Sequence, residues 1–108
     1  MAIVAYDLYG FESDDLESIA ESLEKALNIK FDARSSDYWG DYYRYGKKTS
    51  ESFELKQNLD PEGEWLKKNF RDCGALFYVN RTERSDEIEK LLESVASIKK
   101  LESEKLSV

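Results

Sequence analysis

The sequence predicts an α+β fold, a two-layer sandwich in which two long amphipathic helices cover one face of a mostly antiparallel sheet of four to five strands. Short apolar runs with period-two alternation indicate strands, and two segments carry apolar residues at helical spacing. Along the chain the order is strand, helix, three strands, loop, strand, helix. With 108 residues the chain can bury one core, so we expect a single domain over 1–108.

The first strand and the first helix have the clearest signals. Residues 2–9 are mostly apolar and predict a strand that ends at Gly10. Ser13 or Asp14 is expected to cap the following helix, where acids in the first turn complement the helix dipole. Asn28 is expected to close this helix. Its apolar face consists of Leu16, Ile19, Ala20, Leu23, Ala26 and Leu27.

Three strands are predicted in the middle of the chain, over residues 31–34, 42–45 and 51–57. A turn near residues 38–41 separates the first two, and a polar turn over 46–50 separates the last two. In the third strand Phe53 and Leu55 alternate with Glu54 and Lys56, as in a strand that is buried on one side only.

The last third of the chain contains a loop, a central strand and a closing helix. Residues 58–63 predict the loop, 64–70 a short helical turn, and 76–80 the strand. Ser85 is expected to cap the closing helix, and residues 102–108 are expected to fray. The apolar stripe of this helix consists of Ile88, Leu91, Leu92, Val95, Ile98 and Leu101.

The composition argues against several functional classes. The net charge is -7, and such a surface repels phosphate backbones, so we expect no nucleic-acid partner. No apolar run reaches the roughly 20 residues that span a bilayer, and the N-terminus lacks the basic flank of an export signal. We therefore expect no membrane association and a cytoplasmic location. Cys73 is the single cysteine and is expected to be a small buried filler.

Enzymatic chemistry is difficult to assemble from this sequence. Without histidine there is no Ser–His or Cys–His pair and no imidazole ligand, so we expect no enzyme, no cofactor and no metal. Residues 60–64 superficially resemble half of a calcium loop, but Pro61 and a missing acid spoil the pattern. Arg81 and Arg84 could hold an anion or pair with neighbouring acids.

Recognition is the remaining function, and residues 35–45 are the best candidate for it. This segment concentrates aromatic residues beside Asp37 and Asp41, and Gly40 allows a sharp turn. An ordinary hairpin, with rings alternating between core and solvent, is the alternative interpretation. A second candidate surface is the acidic face of the first helix, formed by Glu17, Glu21 and Glu24.

The middle of the sequence resembles the immunity proteins of bacterial toxin–immunity systems, in particular those of contact-dependent growth inhibition. The similarity covers roughly half the chain. It is carried by Ser-Asp-Tyr-Trp-Gly-Asp-Tyr-Tyr-Arg at 36–44, Glu-Leu-Lys-Gln-Asn at 54–58, the acidic loop over 60–64, and a strand with Thr-Glu-Arg over 76–84 that is followed by an amphipathic helix.

This resemblance implies a cytosolic protein that binds and neutralises a cognate toxin domain, commonly a nuclease, by blocking its active site or access to its substrate. Rings would anchor the complex and acids would face toxin Lys or Arg residues. The expected partner-binding residues are Asp37, Tyr38, Trp39, Asp41, Tyr42, Tyr43, Asp60, Glu62 and Glu64. The alternative function is a non-catalytic structural or regulatory domain that forms a weak homodimer through its aromatic strand, if that strand lies at a sheet edge.

Overall fold

A computed structural model describes residues 2–47 and 49–108 and confirms the α+β class. In these residues the sheet has six antiparallel strands in the order β2-β3-β4-β5-β1-β6. The elements are β1 (Ile3–Phe11), α1 (Leu16–Leu27), β2 (Asp32–Ser36), β3 (Gly40–Gly46), β4 (Ser52–Gln57), a 3-10 turn (Lys68–Phe70), β5 (Ala75–Thr82), α2 (Ser85–Leu92) and β6 (Lys99–Ser107).

Both helices pack on the same face of the sheet, as predicted. Ile19 and Leu23 of α1 and Ile88 of α2 share one apolar cluster with alternate residues of the central strands, among them Phe53 and Phe77. Of these five side chains, all but Ile19 are completely inaccessible to solvent. The alternation of β4 and β5 therefore supplies the apolar floor on which both helices lie.

The opposite face of the sheet, which we call the open face, carries no helix from α1 or α2. Part of it is covered by residues 58–74, whose Leu66 and Phe70 pack against Leu8 and Leu76. Cys73 is buried in this second cluster, and burial raises the pKa of its thiol. Its environment is that of the small core filler expected from the sequence.

The predicted strand count and the two long helices are wrong: the sheet has six strands rather than four to five, and the helices are short, with 12 residues in α1 and 8 in α2. Helix α2 ends at Leu92 after eight residues, and β6 replaces both the expected end of the helix and the frayed tail. The hydroxyl of Ser94 donates to the carbonyl of Leu91, and Ser97 has a φ of 63°. Serine competes with the helical backbone in this way, while Val95 stays in the core and prolongs the apolar spacing beyond the helix.

Two predicted helix caps also differ in the structure. Asp15, rather than Ser13 or Asp14, caps α1 by accepting a hydrogen bond from the backbone N–H of Ser18. The hydroxyl of Ser85 makes no cap and instead donates to the buried carboxylate of Asp7 at 2.5 Å. Asn28 ends α1 in the left-handed conformation, as expected. The predicted turn over 46–50 includes Lys48, which lies outside the described residues.

Candidate binding surface at one end of the sheet

Strand register brings the two predicted binding segments to the same end of the sheet. The turn between β2 and β3 follows the pair Ser36–Gly40, and the loop after β4 follows Gln57, which pairs with Ala75. A Cβ placed on Gly40 would lie 3.5 Å from Cγ of Pro61. The turn and the loop are therefore neighbours, although they are far apart in sequence. We call the surface formed by Asp37, Tyr38, Trp39, Asp41, Asp60, Glu62 and Glu64 the tip surface.

Local chemistry explains why the chain turns here. Gly40 has a φ of +73°, a conformation that costs glycine little, and it starts β3 directly after the turn. The hydroxyl of Ser36 accepts a hydrogen bond from the backbone N–H of Tyr38 at 3.0 Å. The turn thus lies at residues 37–39 with its glycine at the predicted position, and Trp39 is directed toward the open face.

Most side chains of the tip surface are exposed and available to a partner. Tyr38 is 80% exposed, and Asp37, Asp41 and the glutamates of the loop are exposed as well. Asp60 has a different role, because its Oδ1 accepts hydrogen bonds from the backbone N–H groups of Glu62 and Glu64, both at 2.9 Å. One predicted binding acid therefore shapes the loop on which the other two are presented.

Trp39 is held in place by a lysine below it. The Nζ atom of Lys56 lies 3.4 Å from the centroid of the Trp39 ring and 5.0 Å from that of Tyr78, a cation–π arrangement. Tyr42 contacts the same indole edge-to-face, with the ring centroids 5.4 Å apart. One face of the tryptophan is consequently occupied, and the ring has a fixed position beside the turn.

The alternation in β4 predicts Lys56 on the side away from Phe53 and Leu55, and the structure places it there, but only 6% of the residue is exposed. Desolvation lowers the pKa of its ammonium, while the carboxylate of Glu54, 3.5 Å away, acts in the opposite direction. Glu54 also pairs with Arg44 on the adjacent strand at 3.6 Å. Alternation gave the face on which Lys56 lies, but it could not show that Trp39 would cover it.

Tyr42 and Tyr43 lie on opposite faces of the sheet. Tyr42 pairs with Lys56 and belongs to the open face, next to Trp39. Tyr43 packs against the helix-covered core, with its ring centroid 6.1 Å from that of Phe31. The predicted binding set is therefore divided: Tyr42 supports the tip surface, whereas Tyr43 fills the edge of the core.

Asn58 anchors the segment that carries the acidic loop, a role that sequence analysis did not assign. The residue is completely buried, and its amide nitrogen donates to the carbonyls of Phe70 at 2.9 Å and Cys73 at 3.0 Å. Its Oδ1 accepts from the backbone N–H of Lys67 at 2.9 Å. Its partners lie up to fifteen residues away in the chain, so a local sequence pattern does not reveal them. The sequence shows only an asparagine at the end of an apolar strand.

The acidic face of α1 and the candidate anion-binding residue Arg84 are partly committed to internal contacts. Glu17 and Glu21 of α1 are exposed, but the carboxylate of Glu24 accepts a hydrogen bond from the backbone N–H of Phe31 at 2.8 Å. The guanidinium of Arg84 pairs with Glu51 at 2.8 Å and with Glu87 at 2.9 Å, and these hydrogen bonds raise its pKa. Arg84 is therefore neutralised by its own chain.

Comparison with protein-family models gives no match, and none of the curated proteins is significantly similar to the chain. In residues 2–47 and 49–108, no helix has the length and apolar character needed to cross a membrane. Across the same residues, no group of three or more carboxylate or thiol side chains converges as a metal site would require.

Proposed function

We propose that this protein acts by binding a basic partner protein through the tip surface, and that it is an immunity protein. Its target would be a cognate toxin domain, and a nuclease fits best because a nuclease must present Lys and Arg residues to phosphate. The tip surface would block the active site of the toxin or the access of its substrate. The protein would perform no reaction itself and would need no cofactor, and its partner would meet it in the cytoplasm.

The observation that carries this proposal is the approach of Gly40 to Pro61, which places an exposed, ring-bearing turn beside an acidic loop. Tyrosine and tryptophan bury large areas and keep a polar group for a partner, and acids attract a basic surface during encounter. Trp39 adds a ring that Lys56 already immobilises, so a partner would lose little entropy in ordering it.

The alternative, self-association through the aromatic strand, loses its premise in this topology. Strand β3 lies between β2 and β4, and both of its edges are hydrogen-bonded. The edge strand on that side is β2, with the sequence Asp-Ala-Arg-Ser-Ser, which contains no aromatic residue.

The test is neutralisation of the C-terminal domain of a large secreted protein encoded directly upstream of this chain. The domain is expressed under tight control with and without this protein, and growth and direct binding are measured. Wild type should rescue growth, and the variant Asp37→Lys with Asp41→Lys should reduce the association rate at least about tenfold at low salt. Added salt should slow the association of wild type more than that of the variant.

A matched control is Glu17→Lys with Glu21→Lys, which changes the net charge equally on the exposed face of α1. This control should retain most of the association rate. If the α1 variant loses binding and the tip variant keeps it, the binding surface is the acidic helix rather than the tip surface. If neither wild type nor variants bind the domain or rescue growth, the immunity proposal fails.

A further inference from the structure

Strand β6 is an edge of the sheet whose outer side has no partner strand. It is hydrogen-bonded to β1 only, and it lies at the edge opposite to β2. The strand is nine residues long, contains no proline, and is exposed at every residue except Leu101. A long exposed edge offers its backbone N–H and C=O groups to any strand that fits beside it.

The two faces of β6 carry different charges. Directly paired residues share a face of the sheet, so Glu102 and Glu104, opposite Leu8 and Tyr6, lie on the open face. Lys105 pairs with Ala5 and belongs to the helix-covered face. A strand added to β6 would therefore meet carboxylates on one face and an ammonium on the other.

The two carboxylates border a groove of about 580 Å³ on the open face, whose walls include the rings of Tyr6 and Tyr78. Glu102 pairs with the partly exposed Lys67 at 3.4 Å. Glu104 has no ion pair within the described residues. Aromatic faces and carboxylates both attract ammonium and guanidinium groups, so the groove favours basic side chains.

A second copy of this chain is disfavoured in the registers that would pair the charged part of this edge. Two copies of β6 can pair as antiparallel strands around a twofold axis perpendicular to the sheet, which keeps the same faces on the same side. If this axis passes beside Ser103, Glu102 of each copy lies opposite Glu104 of the other. Centring it on Glu102 or Glu104 would oppose identical carboxylates, and centring it on Lys105 would oppose two ammonium groups. Like charges directly opposite each other destabilise these four registers. A pair centred on Leu106 avoids them but would pair only the last few residues of β6, whereas a partner segment with basic residues can complement Glu102 and Glu104 as well.

We propose that β6 binds an extended segment of a partner protein as an antiparallel strand. The segment carries Lys or Arg at the two positions that face Glu102 and Glu104, and an acidic residue at the position that faces Lys105. Backbone hydrogen bonds supply affinity, and the alternating charges select the register. This site lies along the sheet edge formed by β6, whereas the tip surface lies at the ends of β2, β3 and β4, and it does not depend on the proposed toxin contact.

The probe is a synthetic peptide, Thr-Val-Glu-Arg-Thr-Arg-Thr, whose charges complement β6 in antiparallel register. Backbone amide shifts of the 108-residue protein are followed by NMR during titration. We expect shift changes in β6 and β1 and binding at least about tenfold tighter than for the charge-swapped peptide Thr-Val-Lys-Glu-Thr-Glu-Thr. N-methylation of the peptide amides that face β6 should abolish binding, since the added strand then loses its donors.

The double variant Glu102→Lys with Glu104→Lys should bind the charge-swapped peptide better than the original one. The double variant Glu17→Lys with Glu21→Lys, which has the same net charge, should keep the wild-type preference. Absence of shift changes at millimolar peptide, or changes confined to the tip surface, would overturn the proposal. Equal binding of both peptides would also overturn it.

Discussion

Replacement of Asn58 by alanine is expected to cost about 3–5 kcal/mol of unfolding free energy. The amide of Asn58 donates to the carbonyls of Phe70 and Cys73 and accepts from the N–H of Lys67. The bond to Cys73 is buried, so its loss leaves a dry carbonyl unpaired at a cost of about 1–3 kcal/mol. The two part-buried bonds add about 1 kcal/mol each, since water can reach their partners in the variant.

Urea unfolding followed by circular dichroism measures this loss, provided that the slope with denaturant is unchanged. Asn58→Asp separates hydrogen bonding from packing, because it keeps the shape and the acceptor but loses both donated bonds; it should be at least as destabilising as alanine. The control is Asn80→Ala, since the partly buried Asn80 side chain makes no hydrogen bond within the described residues. A loss below about 1 kcal/mol for Asn58→Ala would refute the anchoring role.

Three further outcomes follow from single contacts. Burial, with Glu54 and Glu102 nearby, raises the pKa of Tyr78 to about 12, whereas the unfolded value is near 10. The free energy of unfolding should therefore fall as the pH rises above about 10. Tyr78→Phe should remove about 1–2 kcal/mol of this fall, measured by urea unfolding at pH 9 and pH 12. Gly10→Ala should cost about 1–3 kcal/mol in thermal unfolding, because its Cβ would lie 2.6 Å from the buried sulfur of Cys73. Ser103→Ala should cost about 1–3 kcal/mol in the same assay, since its hydroxyl donates to buried Asp7 at 2.6 Å.

Each of these outcomes has a contrasting measurement. If Tyr78→Phe leaves the alkaline fall unchanged, other groups cause it. Gly63→Ala is the contrast to Gly10→Ala, because a Cβ on Gly63 would lie in open space and only the φ of +86° opposes alanine there. It should therefore lower the free energy of unfolding by only about 1 kcal/mol. Ser107→Ala is the control for Ser103→Ala, because its hydroxyl donates to no group within the described residues; equal effects of these two serine variants would contradict the role of Asp7.

The sequence predicted those elements best in which several local signals agree. Helix α1 begins and ends where its apolar spacing does, and its acidic first turn and Asn28 mark the same boundaries. The closing region gave conflicting signals, because apolar residues keep helical spacing through Val95, while Ser94 and Ser97 interrupt the backbone. The apolar alternation that predicts a strand is missing from β6, because most of its residues are charged or polar. Such a strand can still form at the edge of the sheet, where it pairs with β1 alone and most of its side chains face solvent.

Part of the candidate site was accessible from the sequence and part was not. Adjacent residues of a strand face opposite sides, so the separation of Tyr42 from Tyr43 follows from period two alone once β3 is recognised. The contact between Gly40 and Pro61 depends on the register of three strands, which single-strand patterns do not specify. The burial of Lys56 also depends on that geometry, because the ring that covers it belongs to Trp39 in the turn between β2 and β3.

Three residues hold the tip surface in place, and two of them, Lys56 and Asn58, lie outside it. Lys56 fixes Trp39, and Asn58 and Asp60 fix the loop, whereas Tyr38 stands exposed. Preorganised groups lose less conformational entropy on binding, so a partner gains more from Trp39 than from an equally placed but mobile ring. Substitution of Lys56 should therefore weaken partner binding without removing any atom from the interface, and Tyr38 should contribute less than its exposed area suggests.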